Sequence, residues 1–92
     1  MTPATNRVRG LLDTQPRIPL ATLPTPLTEA VRLRAALGGA RSCPQILIKR
    51  DDLTALGLGG NKARKLEYLV ADARTARATT LVTTGAVQSN QI

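Results

Sequence analysis

The chain contains no histidine, no tryptophan and no phenylalanine, and it has one cysteine, one methionine and one tyrosine in 92 residues. Each absence removes a class of chemistry. Without histidine, serine-histidine and cysteine-histidine nucleophilic catalysis has no general base within the chain. With Cys43 alone, neither an intrachain disulfide nor a cysteine metal cluster can be built, and no metal site is expected. Tyr68 as the single aromatic leaves little bulky material for a core, so a thin one is expected. No apolar run approaches the roughly 20 residues that span a bilayer, and the N-terminus lacks the apolar block of a secretory signal. A cytoplasmic protein with no membrane partner is therefore expected.

What is abundant is positive charge, with 13 Lys and Arg against 6 Asp and Glu and a net charge of +7. That balance invites a nucleic-acid reading, but the cations are scattered singly or in pairs and no aromatic platform accompanies them. Nucleic acid is therefore not the expected partner. A noncatalytic basic binding module remains an alternative, whose salt-sensitive binding would depend on Arg7, Arg9, Arg32 and Arg34.

Along the chain, residues 1–24 mix arginines, prolines and short apolar pairs without a sustained period. They are expected to form an extended arm with a short helical turn around Val8 to Leu12. Thr25-Pro26 is a helix-start signature, and Ala30, Val31, Leu33 and Leu37 follow at helical spacing before Gly38-Gly39 stops the helix. Ile46-Leu47-Ile48 reads as a buried strand ending in the charged cluster Lys49-Arg50-Asp51-Asp52. A glycine loop then leads to Asn61 as N-cap of a helix over 62–76, with Leu66, Leu69, Val70, Ala73 and Ala76 as its buried stripe. Residues 80–84 read as a second strand, and another helix is expected near Ser89-Asn90. Strand, helix, strand at this spacing predicts a right-handed parallel crossover and an α/β fold for residues 25–92. A chain stopping there is expected to be a fragment.

The most informative stretch is Gly57-Leu58-Gly59-Gly60-Asn61-Lys62-Ala63-Arg64-Lys65-Leu66-Glu67. It places three cations at the positive end of a helix, which is unfavourable unless an anion or a chemical task offsets them. A phosphate loop is excluded by spacing, because Asn61 separates glycine from lysine and Ala63 replaces the hydroxyl that would ligate magnesium. The dinucleotide pattern also fails, since Lys62 stands where the third glycine belongs. Repulsion at a helix start favours the neutral amine that attacks a carbonyl, so Lys62 is a candidate nucleophile for imine chemistry. A solvated helix end would account for the same cations. The second polar loop, Gln88-Ser89-Asn90-Gln91, follows the carboxyl end of the second expected strand, where ligand crevices of open α/β sheets lie. Ser89 could bind a carboxylate and Asn90 could donate to a ring oxygen, although both are also ordinary helix caps.

Together, Pro24-Thr25-Pro26-Leu27, Ile48-Lys49-Arg50-Asp51-Asp52, Gly59-Gly60-Asn61-Lys62-Ala63-Arg64-Lys65-Leu66-Glu67 and Gln88-Ser89-Asn90 resemble the N-terminal portion of the D-cysteine desulfhydrase and 1-aminocyclopropane-1-carboxylate (ACC) deaminase family. The resemblance runs in order from about Pro19 to Gln91. It implies a tryptophan synthase β-like (fold type II) domain, pyridoxal 5'-phosphate as cofactor, and a small D-amino acid or cyclic amino acid as substrate. It makes Lys62 the imine-forming and catalytic lysine, puts Asn61 and Asn90 against the cofactor, and gives substrate contacts to Ser89, Asn90 and Gln91. Ser89 also counts as catalytic on this reading. The full-length form is expected to be a homodimer. The six residues Leu53 to Leu58 fit the desulfhydrase branch better, whereas Gln91 fits the deaminases; the desulfhydrase branch is favoured. In full-length relatives the phosphate cradle, the partner of the pyridine nitrogen and a catalytic tyrosine lie downstream, and Tyr68 is not that tyrosine. A chain without them is expected to be inactive and only marginally stable.

Overall fold

The computed structural model of the protein describes residues 1–89. Its elements run α1 (Pro3–Asp13), β1 (Leu27–Glu29), α2 (Val31–Ala36), β2 (Leu47–Lys49) and α3 (Lys62–Thr75), with single 3-10 turns at Gly39–Arg41 and Asp51–Leu53. Among the described residues no helix is long and apolar enough to cross a membrane.

The N-terminal arm is more helical than expected. Thr2 caps α1, its hydroxyl accepting from Thr5 N–H at 3.2 Å, and Pro3 occupies the first position. The helix therefore covers eleven residues rather than one turn. The same Thr-Pro signature at Thr25-Pro26 does not start a helix. Thr25 is buried, with its hydroxyl engaged in a polar cluster described below, and residues 27–29 are a strand. α2 consequently begins only at Val31, and Gly38 ends it in the left-handed region at φ 103°, as the Gly-Gly pair suggests.

β1 and β2 pair antiparallel, with Leu27 opposite Lys49, Thr28 opposite Ile48 and Glu29 opposite Leu47. Ala30 N–H to Ile46 O at 2.9 Å and Arg50 N–H to Pro26 O at 2.8 Å extend this ribbon at both ends. The expected parallel crossover is thus absent among the described residues: β2 pairs with β1, which precedes it in sequence, and no strand follows α3. Residues 80–84 form no strand. Among the described residues the sheet holds only β1 and β2, and Leu81 and Val82 are 66% and 94% exposed. A strand is stabilised by its ladder, and apolar pattern alone does not supply one. The helix expected near Ser89-Asn90 lies largely outside the described residues, and residues 87–88 turn the chain.

α3 matches its expected start and ends one residue early, but its buried face is rotated from the expected stripe. Ala63, Glu67 and Ala71, at spacings of four, are the buried positions, while Leu69 is 52% exposed. The buried side faces the incoming arm, and small alanines permit close backbone approach there. With Thr25, Thr54 and Gly59, these residues complete the buried set among the described residues, so the core is as thin as expected and unexpectedly polar.

Candidate functional site

Two polar clamps fix α3. The first is centred on Glu67, whose side chain is 1% exposed. It accepts Arg17 Nε at 2.7 Å, Leu20 N–H at 2.8 Å and Ala21 N–H at 3.1 Å, while its carbonyl accepts Ile18 N–H at 3.1 Å. Burial pushes the Glu67 carboxyl up, but the two amides and the Arg17 guanidinium outweigh it and hold the group below its ordinary value. Arg17 also lies over the Tyr68 ring, 5.8 Å from its centroid, so Tyr68 packs as a side wall of this clamp.

The second clamp joins Arg64 to Asp51 and Thr25. Arg64 donates Nε to Asp51 Oδ2 at 2.9 Å and Nη2 to Asp51 Oδ1 at 2.7 Å, a two-pronged contact. The Thr25 hydroxyl donates to Asp51 Oδ1 at 3.0 Å and accepts from Arg64 Nη2 at 3.0 Å. Hydrogen bonding from Arg64 brings the Asp51 carboxyl down to about 2. The unfavourable cation at the helix start has therefore found its anion. Neighbouring Arg50 and Asp52 pair with each other at 2.7 Å on the surface, which is how the adjacent opposite charges sort themselves.

The loop between Asp51 and α3 is held as tightly. Gly60 N–H donates to Asp51 O at 2.7 Å, the fully buried Thr54 hydroxyl donates to Gly60 O at 2.8 Å, and Thr22 N–H donates to Thr54 O at 2.8 Å. Gly59, at φ 83°, passes so close to Asp52 that a Cβ there would stand 2.1 Å from its carbonyl oxygen. Only glycine fits this crossing.

With Arg64 and Glu67 turned into the clamps, the half-buried Lys62 borders a cleft of about 690 Å³. Residues 57–62 form one wall and residues 86–89 the other. The cleft brings Lys62 and Ser89, twenty-seven positions apart in sequence, onto facing walls. Ser89 is half-buried in a turn whose backbone closes through Ser89 N–H to Ala86 O at 2.9 Å. Asn61 occupies the cap position, but its backbone is already helical at φ −80°, ψ −14°, and its side chain makes no capping bond. Its expected capping role is thus not realised, and it lines the cleft instead. Asn90 and Gln91 lie outside the described residues. Lys65 is exposed.

The clamps themselves escape a reading of the sequence. Asp51 reaches Arg64 across thirteen positions and Glu67 reaches Arg17 across fifty, and no local period marks such pairs. Their only trace is the odd placement of Arg64 at a helix start. Of the four arginines that a basic binding surface would use, Arg34 donates Nε to Cys43 O at 2.9 Å and so serves the fold.

Comparison with known proteins bears directly on this constellation. No protein-family model matches the chain. The D-cysteine desulfhydrases of Salmonella paratyphi B and Salmonella newport are each 52% identical to it over 77 residues, covering 84% of this chain and 22% of theirs. A crystal structure described as an ACC deaminase homologue superposes with a TM-score of 0.78 at 42% identity, covering 98% of this chain and 25% of that one. The chain matches one portion of the D-cysteine desulfhydrase and ACC deaminase family. It spans about a fifth of the length of the curated relatives it matches. At this identity the match establishes the α/β fold of that portion.

Proposed function

We propose that this chain carries the cofactor-lysine side of a pyridoxal 5'-phosphate enzyme acting on small amino acids, most like a D-cysteine desulfhydrase that releases sulfide and ammonia and forms pyruvate. The carrying observation is that Lys62 borders the cleft between the glycine loop and the Ser89 turn, while its cationic neighbour Arg64 is committed to a clamp. The residues suit the cofactor on this side. A primary amine is the group that bonds to its aldehyde carbon, and Gly57, Gly59 and Gly60 in the lining leave the backbone open to close approach by a flat ring.

On this reading Lys62 Nζ would hold the cofactor covalently, and its amine, when free, would take or return a proton at the substrate α-carbon. When bound, the cofactor supplies an electron sink for charge developing at that carbon. Ser89 Oγ, across the cleft, orients the substrate through its carboxylate, and Asn61 borders the same space. Asn90 at the cofactor ring oxygen and Gln91 near the substrate rest on the resemblance alone. A deaminase reading, with ACC as substrate, is favoured by the ACC deaminase homologue among the structural matches. Sulfide release from D-cysteine distinguishes the two.

The chain has three lysines, Lys49, Lys62 and Lys65, which makes a decisive internal competition possible. Pyridoxal 5'-phosphate is added, the adducts are reduced with borohydride and the labelled peptides are quantified by mass spectrometry. Label concentrated at Lys62, and lost in Lys62→Ala without transfer to Lys65, is expected. Equal label on all three lysines would overturn the proposal.

A further inference from the structure

Lys62 is bracketed by two ties to one residue. Two positions before it, Gly60 N–H donates to the main-chain carbonyl of Asp51 at 2.7 Å. Two positions after it, Arg64 places its guanidinium on the Asp51 carboxylate at 2.7 and 2.9 Å. The Thr25 hydroxyl, on a residue 4% exposed, bonds both members and closes a three-residue ring. A single point therefore fixes the backbone on either side of the lysine. A long side chain delivers its amine to one place only when its own backbone is fixed, and a planar two-pronged contact fixes direction as well as distance.

We infer that Asp51 is the positioning residue for Lys62, setting where the amine enters the cleft without itself meeting cofactor or substrate. The inference rests on the reading of Lys62 as the imine-forming lysine. It differs from a plain stabilising role because the second acidic residue of the same turn offers a built-in comparison. Asp52 pairs with Arg50 at the same 2.7 Å, yet both side chains are exposed, at 59% and 37%, and their hydrogen bonds join them to each other rather than to α3. If the turn's charge alone mattered, the two aspartates would be equivalent.

The test uses the borohydride-trapping competition on the 92-residue chain. Asp51→Asn removes the charge on which the fork sits, and Arg64→Lys retains the charge beside Lys62 but loses the fork. Both are expected to lower the ratio of Lys62 to Lys65 label on the order of tenfold, whereas Asp52→Asn leaves it unchanged. Amide exchange of residues 60–64, followed by mass spectrometry, should quicken in the first two variants and not in the third, at equal helix content by circular dichroism. A ratio and exchange rates unchanged in both Asp51→Asn and Arg64→Lys, or a ratio lowered and exchange quickened equally by Asp52→Asn, would overturn the inference. A parent chain showing no preference for Lys62 would instead overturn the underlying functional reading, and the inference with it.

Discussion

Substituting Glu67 probes the centre of this structure most directly. In Glu67→Gln the shape is kept and the charge removed. The two backbone amides of Leu20 and Ala21 share one carboxylate oxygen, Oε2, so the glutamine carbonyl can take that place and keep both. Its NH2 then faces Arg17 Nε, now 2.7 Å from the other oxygen, and two donors confront each other. Arg17 is 44% exposed and can swing to water, so the loss is one charge-assisted hydrogen bond and a weakening of two more, about 2 kcal/mol. In Glu67→Ala all three bonds go and two amides are left without an acceptor, about 3–5 kcal/mol. Against about 5–15 kcal/mol for a small domain, the alanine variant approaches the limit of folding. Thermal unfolding followed by helical circular dichroism should show Glu67→Gln melting about 8–16 °C below the parent, and Glu67→Ala lower still. A glutamine variant that melts with the parent would show that the buried carboxylate contributes nothing through its charge and would refute the account of the clamp.

Two further outcomes follow from the same geometry. Asp51 is brought from 3.8 to about 2 and Glu67 is held below 4.5, so both carboxyls bind protons more weakly folded than unfolded. Their contribution is therefore fully present above pH of about 5 and is lost as pH falls through the folded values towards about 2; a melting temperature in Asp51→Asn, Glu67→Gln that still fell as steeply over this interval would refute the assignment. Gly59→Ala sets a Cβ 2.1 Å from Asp52 O at a positive φ and should cost about 1–3 kcal/mol while lowering the Lys62 share of trapped cofactor, read by melting and by peptide mapping. Normal melting and normal trapping together would refute the crossing as drawn.

Much of the local structure was legible in the sequence because it depends on neighbours in the chain. Gly38 ends α2 in the left-handed region. The helix after the glycine loop starts at Lys62, as the glycine run suggests, although Asn61 does not cap it. What misled was every inference that required knowing a partner. Thr2-Pro3 and Thr25-Pro26 carry the same local signal, yet only the first caps a helix, since Thr25 is drawn into the Asp51 and Arg64 cluster. The apolar residues of α3 pointed to Leu69 as buried, whereas the face that packs is marked by Ala63, Glu67 and Ala71. Helical period gives the spacing of a stripe but not which side meets the rest of the chain.

The sequence by itself determined that Lys62 is a reactive-amine candidate, that nucleotide loops are excluded, and that the lysine loop and the Ser89 loop are candidate parts of one site. These are matters of residue type and short spacing. Only the tertiary structure decided that Arg64 and Glu67 leave the cleft to Lys62, that Asp51 grips the chain on both sides of it, and that residues 86–89 form the facing wall. The reason is physical. A guanidinium or a buried carboxylate takes whichever partner the fold brings within hydrogen-bond distance, and those partners stand thirteen to fifty positions away, beyond any period the sequence displays.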